Sequence, residues 1–268
     1  MRLLDTVAIT GAASGIGRAT AHRLGERGHR VITVDLHDAD VEADLGTRAG
    51  REHAIERVTH LCHGALDGLV TCAGLTGLPD RPASLLVSVN YFGTVEVLDG
   101  LRGALAEGRE PAAVAISSNA TTTQPGISQA LVDACLAGDE AAARARAGEG
   151  ESLSTYGVTK LALARWIRRR APTEEWAGAG IRLNAIAPGA TQTPLLQEGL
   201  DHPTVGPLIE DFPVPVGRRG EPEEIAALIE YLLGPDARFF CGSVVFCDGG
   251  TDALLRADDA PPPWQPAP

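Results

Sequence analysis

The sequence predicts an α/β fold in which one doubly wound parallel sheet carries helices on both faces. Short apolar runs typical of buried strands alternate with helical patterns along the chain, which calls for a parallel sheet covered on both sides. The first run, Thr6 to Thr10, passes through a glycine-rich turn into a helix. With 268 residues, 44% of them hydrophobic, the chain can fill the core of one large domain. We assign residues 1–256 to that domain and 257–268 to a flexible Pro-rich tail.

Charge and hydropathy exclude several classes of function. The formal net charge of −12 at pH 7 argues against a surface for nucleic acid or for an anionic membrane. No apolar run reaches the ~18 residues of a membrane span, and Met1 leads directly into a strand pattern rather than a signal peptide. We therefore expect a cytoplasmic protein with neither a transmembrane segment nor a leader.

The cysteines indicate reduced thiols rather than disulfides or a metal centre. They are odd in number, include no C-x-x-C pair and mostly lie in apolar runs, as is typical of cytosolic proteins. His60, Cys62 and His63 could begin a metal cluster, but no fourth ligand has suitable spacing, so we predict no metal. The cysteines are Cys62, Cys72, Cys135, Cys241 and Cys247.

A phosphate-binding turn is predicted after the first strand. The run from Gly11 to Gly17 contains three glycines, and Arg18 to Arg27 reads as the helix that follows. Glycines let the backbone approach a pyrophosphate closely, and the helix N-terminus offers unpaired N–H groups and the positive end of a dipole. By itself, such a turn could equally be a tight connection between a strand and a helix.

An acidic residue at the end of the second strand favours NAD over NADP. The strand Arg30 to Val34 ends at Asp35, about 20 residues past the glycines, where a carboxylate can accept both ribose hydroxyls of adenosine. The same carboxylate would repel a 2′-phosphate, and the flanking Ser14 and Leu36 offer no cation to neutralise it. We therefore predict NAD as the cofactor.

The next elements continue the alternation of strand and helix. Arg48 to Cys62 reads as a helix, Asp67 to Thr71 as a buried strand, and residues 84–105 as a long helix that contains Asn90. The strand runs into Cys72-Ala73-Gly74, whose small residues leave room for a flat ligand. A polar amide in a helix is usually on the surface; if Asn90 is buried it needs partners, and a bound water is one possibility.

A further strand ends in hydroxyl groups. Val114 to Ser118 is predicted to be buried, and ligands bind at the carboxyl edge of open parallel sheets, so Ser118 should face the same crevice as the glycine turn. A serine at a strand end is, by itself, most often a turn former. Residues 119–154 then read as an inserted helical hairpin, with helices at 131–136 and 139–147 and no chemical constellation of its own.

Helical spacing brings Tyr156 and Lys160 onto one face of a helix that continues to Arg170. The chain holds 22 Arg and one Lys, and that Lys lies four residues after one of only three Tyr. A phenol has an ordinary pKa of about 10, and a nearby cation favours the phenolate, so we expect Lys160 to lower the pKa of Tyr156. Such a tyrosine can give or take a proton at an alcohol or carbonyl oxygen. The alternative is an ordinary surface Tyr-Lys pair.

The C-terminal part of the domain adds two strands, a helix and a long loop. Ile181 to Ile186 and Val244 to Cys247 read as strands, and Pro222 to Leu233 as a helix with proline and acids in its first turn. Residues 190–220 show no clear periodicity apart from a helical start at Pro194. Long loops of this kind in compact domains tend to be lids or binding loops, so we interpret this one as the substrate loop.

Taken together, these motifs resemble the short-chain dehydrogenase/reductase family over about residues 5 to 250. Each motif is weak alone, but their joint order is highly specific. The resemblance implies a single Rossmann-type domain. The chain departs from the family pattern at Cys72, where the family usually has Asn, so one side-chain contact is missing there. The motifs are, in order, Gly11-x3-Gly15-x-Gly17, Asp35, Cys72-Ala73-Gly74, Asn90, Ser118, Tyr156-x3-Lys160, Pro188-Gly189 and Asp248-Gly249-Gly250.

The resemblance also implies roles for individual residues. Tyr156 is the catalytic acid/base, Ser118 orients the substrate oxygen, Lys160 holds the nicotinamide ribose, and Asn90 holds a water that links Lys160 to solvent. Cofactor contacts are implied at Gly11, Ser14, Gly15, Ile16, Gly17, Asp35, Asp44, Leu45, Cys72, Ala73, Gly74, Tyr156, Lys160, Pro188, Gly189, Thr191 and Thr193.

These roles predict an NAD(H)-dependent oxidoreductase that interconverts a hydrophobic secondary alcohol and its ketone. Within the family, Val87 to Gly93 and Ala187 to Leu196 are similar to the bacterial 3α-hydroxysteroid dehydrogenases/carbonyl reductases, which makes 3-hydroxysteroids the leading substrates and implies a homodimer. Leu75, Leu195 and Leu196 suggest an apolar pocket, which equally suits the alternative substrate, a cyclic, terpenoid or aromatic alcohol or diol. Two rival classes are a non-catalytic NAD-binding module and an epimerase or dehydratase. The second class carries a larger C-terminal substrate domain, for which 268 residues leave no room.

Overall fold

The computed structural model describes residues 6–148 and 152–259, and seven strands within them form one sheet. Every neighbouring pair of strands is parallel. The strands are β1 (Thr6–Thr10), β2 (Arg30–Asp35), β3 (Val41–Glu42), β4 (Gly68–Thr71), β5 (Ala112–Ile116), β6 (Arg182–Pro188) and β7 (Val244–Cys247). Their order in the sheet is β3-β2-β1-β4-β5-β6-β7. The chain adds β2 and β3 on one side of β1 and β4 to β7 on the other, so the order of addition reverses between β1 and β4. The predicted doubly wound parallel sheet is confirmed.

Helices cover both faces of the sheet. On one face Leu24 and Ile229 pack with the strands, and on the other face Val58, Leu101 and Ile167 do so. Since these side chains lie at helical spacing in amphipathic segments, the core forms as two apolar layers on either side of the sheet. The helices are α1 (Gly15–Glu26), α2 (Arg48–Leu61), α3 (Ala83–Leu86), α4 (Gly93–Ala106), α5 (Ala120–Thr123), α6 (Gln129–Leu136), α7 (Glu140–Ala147), α8 (Ser152–Arg170), α9 (Pro194–Asp201), α10 (Gly206–Glu210), α11 (Pro222–Leu233) and α12 (Thr251–Leu255).

The long helix predicted at 84–105 contains a π-helical segment that the sequence pattern did not reveal. The segment Val87–Phe92 joins α3 to α4 without a break in the helical backbone. Insertions of this kind widen a helix by about one residue per turn and are frequent at functional sites. Asn90 lies in this segment and is fully buried.

The region predicted as an inserted hairpin contains α6 and α7. Gly138, with φ of +77°, makes the turn between them, a conformation that favours glycine. Ser128 and Asp139 cap the two helices by accepting hydrogen bonds from the backbone N–H groups of Leu131 and Ala142. Residues 149–151, at the end of this region, lie outside the described residues.

The structure corrects the prediction for residues 190–220, which are not a structureless loop. They contain α9 and α10, the first capped by Thr193 and begun by Pro194. Short helices with few turns give weak periodicity, which is why the pattern showed only a helical start. Of the predicted C-terminal tail, Ala257, Asp258 and Asp259 form a turn, and the remainder lies outside the described residues.

No helix in the described part of the chain is both long and apolar enough to span a membrane.

Candidate active site

A large cavity opens at the carboxyl ends of the strands, where the strand order reverses. Its volume is about 1280 Å³, beyond the roughly 300–1,000 Å³ of a typical small-molecule pocket. This is the edge at which open α/β sheets bind their ligands. All of the predicted site residues except Asn90 line this cavity. Its walls are formed by the loops that follow the strands, by the N-terminal part of α8, and by α9 and α10.

The glycine turn has the shape of a cradle with no room for side chains. Gly11 has φ of +68°, and a Cβ atom built there would lie 2.6 Å from the backbone nitrogen of Ala73. A Cβ at Gly17 would lie 2.0 Å from the carbonyl oxygen of Gly11. Ser14, which precedes α1, makes no capping hydrogen bond with its side chain. The first-turn N–H groups of α1 are therefore free of a side-chain cap and suited to an anionic group such as a pyrophosphate.

The carboxylate of Asp35 ties the second strand to this turn. Its Oδ2 accepts a hydrogen bond from the Ala13 backbone N–H at 2.8 Å, and its Oδ1 accepts one from Leu36 at 2.7 Å. An ionised carboxylate has about four acceptor positions, so capacity remains for the hydroxyls of a ribose. Ser14 and Leu36, which flank Asp35 in the cavity wall, carry no positive charge. The site therefore fits an unphosphorylated ribose.

Asp44 and Leu45 form the wall beyond Asp35. Asp44 Oδ1 accepts a hydrogen bond from the backbone N–H of Gly46 at 2.9 Å, which holds the loop in a tight turn. A Cβ at Gly46 would lie 3.1 Å from Val89 Cγ2, so the loop packs against the π-helical segment. This wall contains two of the residues predicted to contact the cofactor.

Ser118, Tyr156 and Lys160 meet in the middle of the cavity. A side-chain hydrogen bond joins Ser118 to Tyr156, and Ser118 Oγ also accepts from the Ala120 backbone N–H at 3.1 Å. Lys160 is 4% exposed, donates to the Ile116 carbonyl oxygen at 2.9 Å, and lies 5.8 Å from the centroid of the Tyr156 ring. A hydroxyl, a phenol and an ammonium thus share one largely buried volume.

The expected lowering of the Tyr156 pKa is wrong for this structure. Burial disfavours the phenolate and raises the pKa of Tyr156, and the hydrogen bond with Ser118 only partly opposes it. Burial also lowers the pKa of Lys160 to about 8. Helical spacing was sufficient to bring the two groups together, but the removal of the phenol from water decides the direction of its pKa shift.

Cys72 occupies the position at which the family usually has asparagine. Its side chain lines the cavity, and burial raises the pKa of its thiol to about 12, while the charge of Lys160 acts in the opposite direction. The thiol is therefore neutral at physiological pH and is not a nucleophile. The space beside Gly11 is kept by the backbone of residues 72 and 73 and not by this side chain.

Asn90 lies behind the cavity wall and does not line the cavity. Its Nδ2 donates to the Leu75 carbonyl oxygen at 2.9 Å, and its Oδ1 accepts from the Leu75 backbone N–H at 2.8 Å. A Cβ built at Gly74 would lie 3.4 Å from Asn90 Oδ1 and 3.6 Å from Lys160 Nζ. The Asn90 amide therefore supports the loop after β4 beside the lysine, a contact that sequence spacing did not indicate.

The segment after β6 closes the cavity near the glycine turn. Thr191 donates to the carbonyl oxygen of Gly189 at 3.1 Å, and Thr193 caps α9 by accepting from the Leu196 backbone N–H at 3.1 Å. A Cβ at Gly15 would lie 3.2 Å from Thr193 Cγ2. Pro188 and Gly189 line the cavity beside them.

The sequence indicates part of the apolar wall, at Leu75, Leu195 and Leu196, and misses the part that α10 adds. Leu195 and Leu196 on α9 line the cavity, together with Val205, Leu208 and Ile209 on or beside α10. The spacing of the last three, at i, i+3 and i+4, is the one signal that could have identified a helical lid.

An ion pair holds this lid to the opposite wall. Arg81, in the loop after β4, donates to Glu198 of α9 at 2.6 Å and to the Thr76 carbonyl oxygen at 2.7 Å. Arg81 also lines the cavity. The pair joins residues 117 positions apart, a distance over which no sequence pattern predicts a contact.

Known proteins share both the sequence and this architecture. A family profile described as "short chain dehydrogenase" matches residues 5–131, and one described as "Enoyl-(Acyl carrier protein) reductase" matches residues 141–252. The chain is 45% identical over 256 residues to the 3-alpha-hydroxysteroid dehydrogenase/carbonyl reductase of Comamonas testosteroni, covering 94% of this chain and 98% of that protein. It is 31% identical to the cis-4-hydroxycyclohexanecarboxylate dehydrogenase of Sinomonas cyclohexanicum, covering 92% and 96%.

A solved structure agrees closely with the fold. The 3-alpha-hydroxysteroid dehydrogenase from Pseudomonas sp. B-0831, complexed with NADH, superimposes with a TM-score of 0.91 and 48% identity, covering 95% of this chain and 99% of that one. The resemblance predicted from the motifs is confirmed by these matches. This chain belongs to the short-chain dehydrogenase/reductase family.

Proposed function

We propose that the protein is an NAD(H)-dependent dehydrogenase that interconverts a hydrophobic secondary alcohol and its ketone. The observation that carries this proposal is the meeting of Ser118, Tyr156 and Lys160 in the cavity that also holds the glycine cradle. A proton-transferring phenol beside a dinucleotide site is the arrangement that alcohol oxidation requires.

The residues present fit NAD(H) as the cofactor. The backbone of residues 11–17 leaves space for a pyrophosphate, and Asp35 retains acceptor positions for ribose hydroxyls without a cation for a 2′-phosphate. Lys160 offers an ammonium to the hydroxyls of the second ribose. When bound, the nicotinamide ring supplies the acceptor or donor of a hydride.

The side chains provide the proton transfer. In oxidation, Ser118 holds the alcohol oxygen by a hydrogen bond, and the Tyr156 phenolate accepts the hydroxyl proton as the carbon–hydrogen bond of the carbinol breaks. In reduction, the Tyr156 phenol gives its proton to the oxygen of the carbonyl. General acid/base transfer of this kind contributes about 10²- to 10⁴-fold in rate.

The substrate is an apolar molecule with a secondary alcohol or ketone, and a 3α-hydroxysteroid is the leading instance. The lid offers Leu195, Leu196 and Leu208, and the loop after β4 adds Leu75. Apolar walls with few polar groups suit a rigid hydrophobic skeleton. The names of the relatives in Comamonas testosteroni and Pseudomonas sp. B-0831 support the steroid over smaller alcohols.

A panel of alcohols tests this proposal. The purified protein would be assayed for NADH formation with 3α-hydroxysteroids, cyclohexanols, terpenoid alcohols and aromatic diols, each with NAD and with NADP. Turnover of 3α-hydroxysteroids with NAD is the expected result. Turnover of the smaller alcohols alone would replace the steroid with another substrate, and no turnover of any would contradict the enzyme assignment.

The protein is proposed to act as a cytoplasmic homodimer. β7 is the last strand of the sheet, so one of its edges is unpaired, and all four of its residues are partly exposed. Phe239, which lies five residues before β7 in the chain, is fully exposed. The five cysteines are free thiols, as suits a reducing compartment. Light scattering should give the mass of a dimer, and Phe239→Glu should shift it towards the monomer.

A further inference from the structure

A buried arginine on α2 connects the adenine wall of the cavity to the helical region at 119–154. Arg51 is 1% exposed, although it carries a full positive charge. Its Nε donates to Glu96 of α4 at 2.6 Å, and its Nη2 donates to Glu140 of α7 at 2.5 Å. Its Nη1 donates to the carbonyl oxygen of Leu45 at 3.2 Å. One guanidinium thus holds two helices and the loop that forms the end wall of the cavity.

Glu140 extends the connection to the π-helical segment. Its Oε1 accepts a hydrogen bond from Ser88 Oγ at 2.6 Å, and Ser88 in turn accepts one from Arg144 of α7. Ser88 is fully buried and directly precedes Val89, which lines the cavity. The carboxylate of Glu140 therefore fixes both the loop at Leu45, through Arg51, and the segment at Ser88.

These two anchored segments touch each other at the cavity. A Cβ at Gly46 would lie 3.1 Å from Val89 Cγ2 and 3.0 Å from Asp44 Oδ1. The loop and the π-helical segment therefore form one continuous wall, and each is held from behind by the same network. A buried charge such as that of Arg51 destabilises the fold unless it is fully paired. Removing one charged partner from this network leaves the charges of the others uncompensated.

We propose that Arg51 and Glu140 are positioning residues for the adenine half of the cofactor, and that α7 thereby contributes to cofactor affinity. Neither residue lines the cavity, so they act through Leu45 and Val89. This inference rests on the proposed placement of NAD(H). It assigns the helical region a role in binding, although that region carries no catalytic group.

The test compares the whole cofactor with its two halves. NADH, ADP-ribose and reduced nicotinamide mononucleotide would be titrated against the wild-type protein and against Glu140→Gln, which keeps the size of the side chain and removes its charge. The affinities for NADH and ADP-ribose are expected to fall by about tenfold, within the range over which such couplings act, while that for the mononucleotide stays unchanged. Turnover at saturating cofactor is also expected to stay at the wild-type level.

The matched control is Glu52→Gln on the exposed side of α2. Glu52 accepts from Arg48 at 2.9 Å in a solvent-exposed pair, so this variant should bind all three probes like the wild type. Ser88→Ala is the second variant, because it removes one contact each of Glu140 and Arg144 and leaves both charges in place. Should Glu140→Gln fail to fold, Ser88→Ala is expected to show the same selective loss at smaller size.

Two outcomes overturn the inference. Wild-type affinity for NADH and ADP-ribose in both variants would show that the network does not support the adenine wall. Equal loss for all three probes would show a general structural effect and not a positioning role. Asp35→Ala tests the underlying placement of the cofactor. If this variant binds ADP-ribose as tightly as the wild type does, the placement is wrong and the inference fails with it. If Asp35→Ala loses ADP-ribose affinity but Glu140→Gln and Ser88→Ala do not, only the role of Arg51 and Glu140 is overturned.

Discussion

Asn90 and Leu75 are joined by a reciprocal pair of hydrogen bonds in which one side-chain amide satisfies both backbone groups of one loop residue. Leu75 lines the cavity and Asn90 lies fully buried behind it. The amide of Asn90 thus gives the Leu75 N–H and carbonyl the partners that a neighbouring strand gives to a residue within a sheet. It fixes the loop after β4 beside Lys160.

The replacement of Asn90 by alanine should therefore destabilise the protein and loosen this wall. The Leu75 N–H and carbonyl would lose their partners in a partly buried place. At about 1–3 kcal/mol for each group, the free energy of unfolding should fall by about 2–6 kcal/mol. Urea denaturation measures this change. Gln129→Ala removes an exposed amide from α6 and should stay within about 0.5 kcal/mol of the wild type. A loss for Asn90→Ala as small as that of the control would contradict the finding.

The Tyr156→Phe variant should separate chemistry from binding. It removes the hydroxyl that transfers the proton and leaves the ring and the cavity in place, so turnover should fall by about 10²- to 10⁴-fold or more. NADH affinity, measured by fluorescence titration, should remain within about twofold of the wild type. Tyr231→Phe, at a tyrosine that is 43% exposed and outside the cavity, is the control and should retain full turnover. Normal turnover of Tyr156→Phe would refute the proposed acid/base role.

Different pH dependence is expected for the two directions of reaction. Burial raises the pKa of Tyr156, so the phenol is protonated at neutral pH and the phenolate fraction grows as the pH rises towards that raised value. Alcohol oxidation needs the phenolate, and its kcat/KM should increase as the pH rises towards 8, the value near which Lys160 begins to lose its proton. Ketone reduction needs the phenol and should be level near neutrality. Below pH 8, where Lys160 keeps its proton, a decrease of the oxidation rate with rising pH would contradict this assignment.

Lys160 should cost stability at neutral pH. Burial lowers its pKa from 10.5 to about 8, so Lys160 binds its proton less tightly in the folded protein than in the unfolded chain. Below pH 8 both states carry the proton, and the folded state bears the cost of the buried charge. At about 1.4 kcal/mol per pKa unit, and with the hydrogen bond to Ile116 lost, Lys160→Met should stabilise the fold by about 2 kcal/mol at pH 7 while abolishing turnover.

The sign of this effect is checked by raising the pH. Between pH 8 and 10.5 the unfolded chain holds the proton that folded Lys160 has released, so the stability of the wild type should rise and the advantage of Lys160→Met should shrink. Thermal unfolding of both proteins at several pH values measures the difference. Arg18→Met, at an exposed position of α1, should show no such pH dependence. A destabilised Lys160→Met at pH 7 would show that the cost of burial is smaller than supposed.

The sequence by itself determined the order of the elements and which residues share the crevice. Strands buried on both sides read as continuous apolar runs, and the glycine turn, Asp35 and the Tyr156–Lys160 spacing depend only on local geometry. The bounds predicted for Pro222–Leu233 and Val244–Cys247 agree with the structure, because capping residues and buried strands leave signals within a few positions.

Only the tertiary structure decided how these residues are held and charged. The raised pKa of Tyr156 depends on how far the phenol is removed from water, which follows from packing and not from the position of Lys160 four residues along the helix. The clamp of Asn90 on Leu75, the lid formed by α9 and α10, and the network of Arg51 with Glu140 join residues far apart in the chain. Local spacing fixes which side chains can share a face, whereas burial and long-range pairing are properties of the assembled fold.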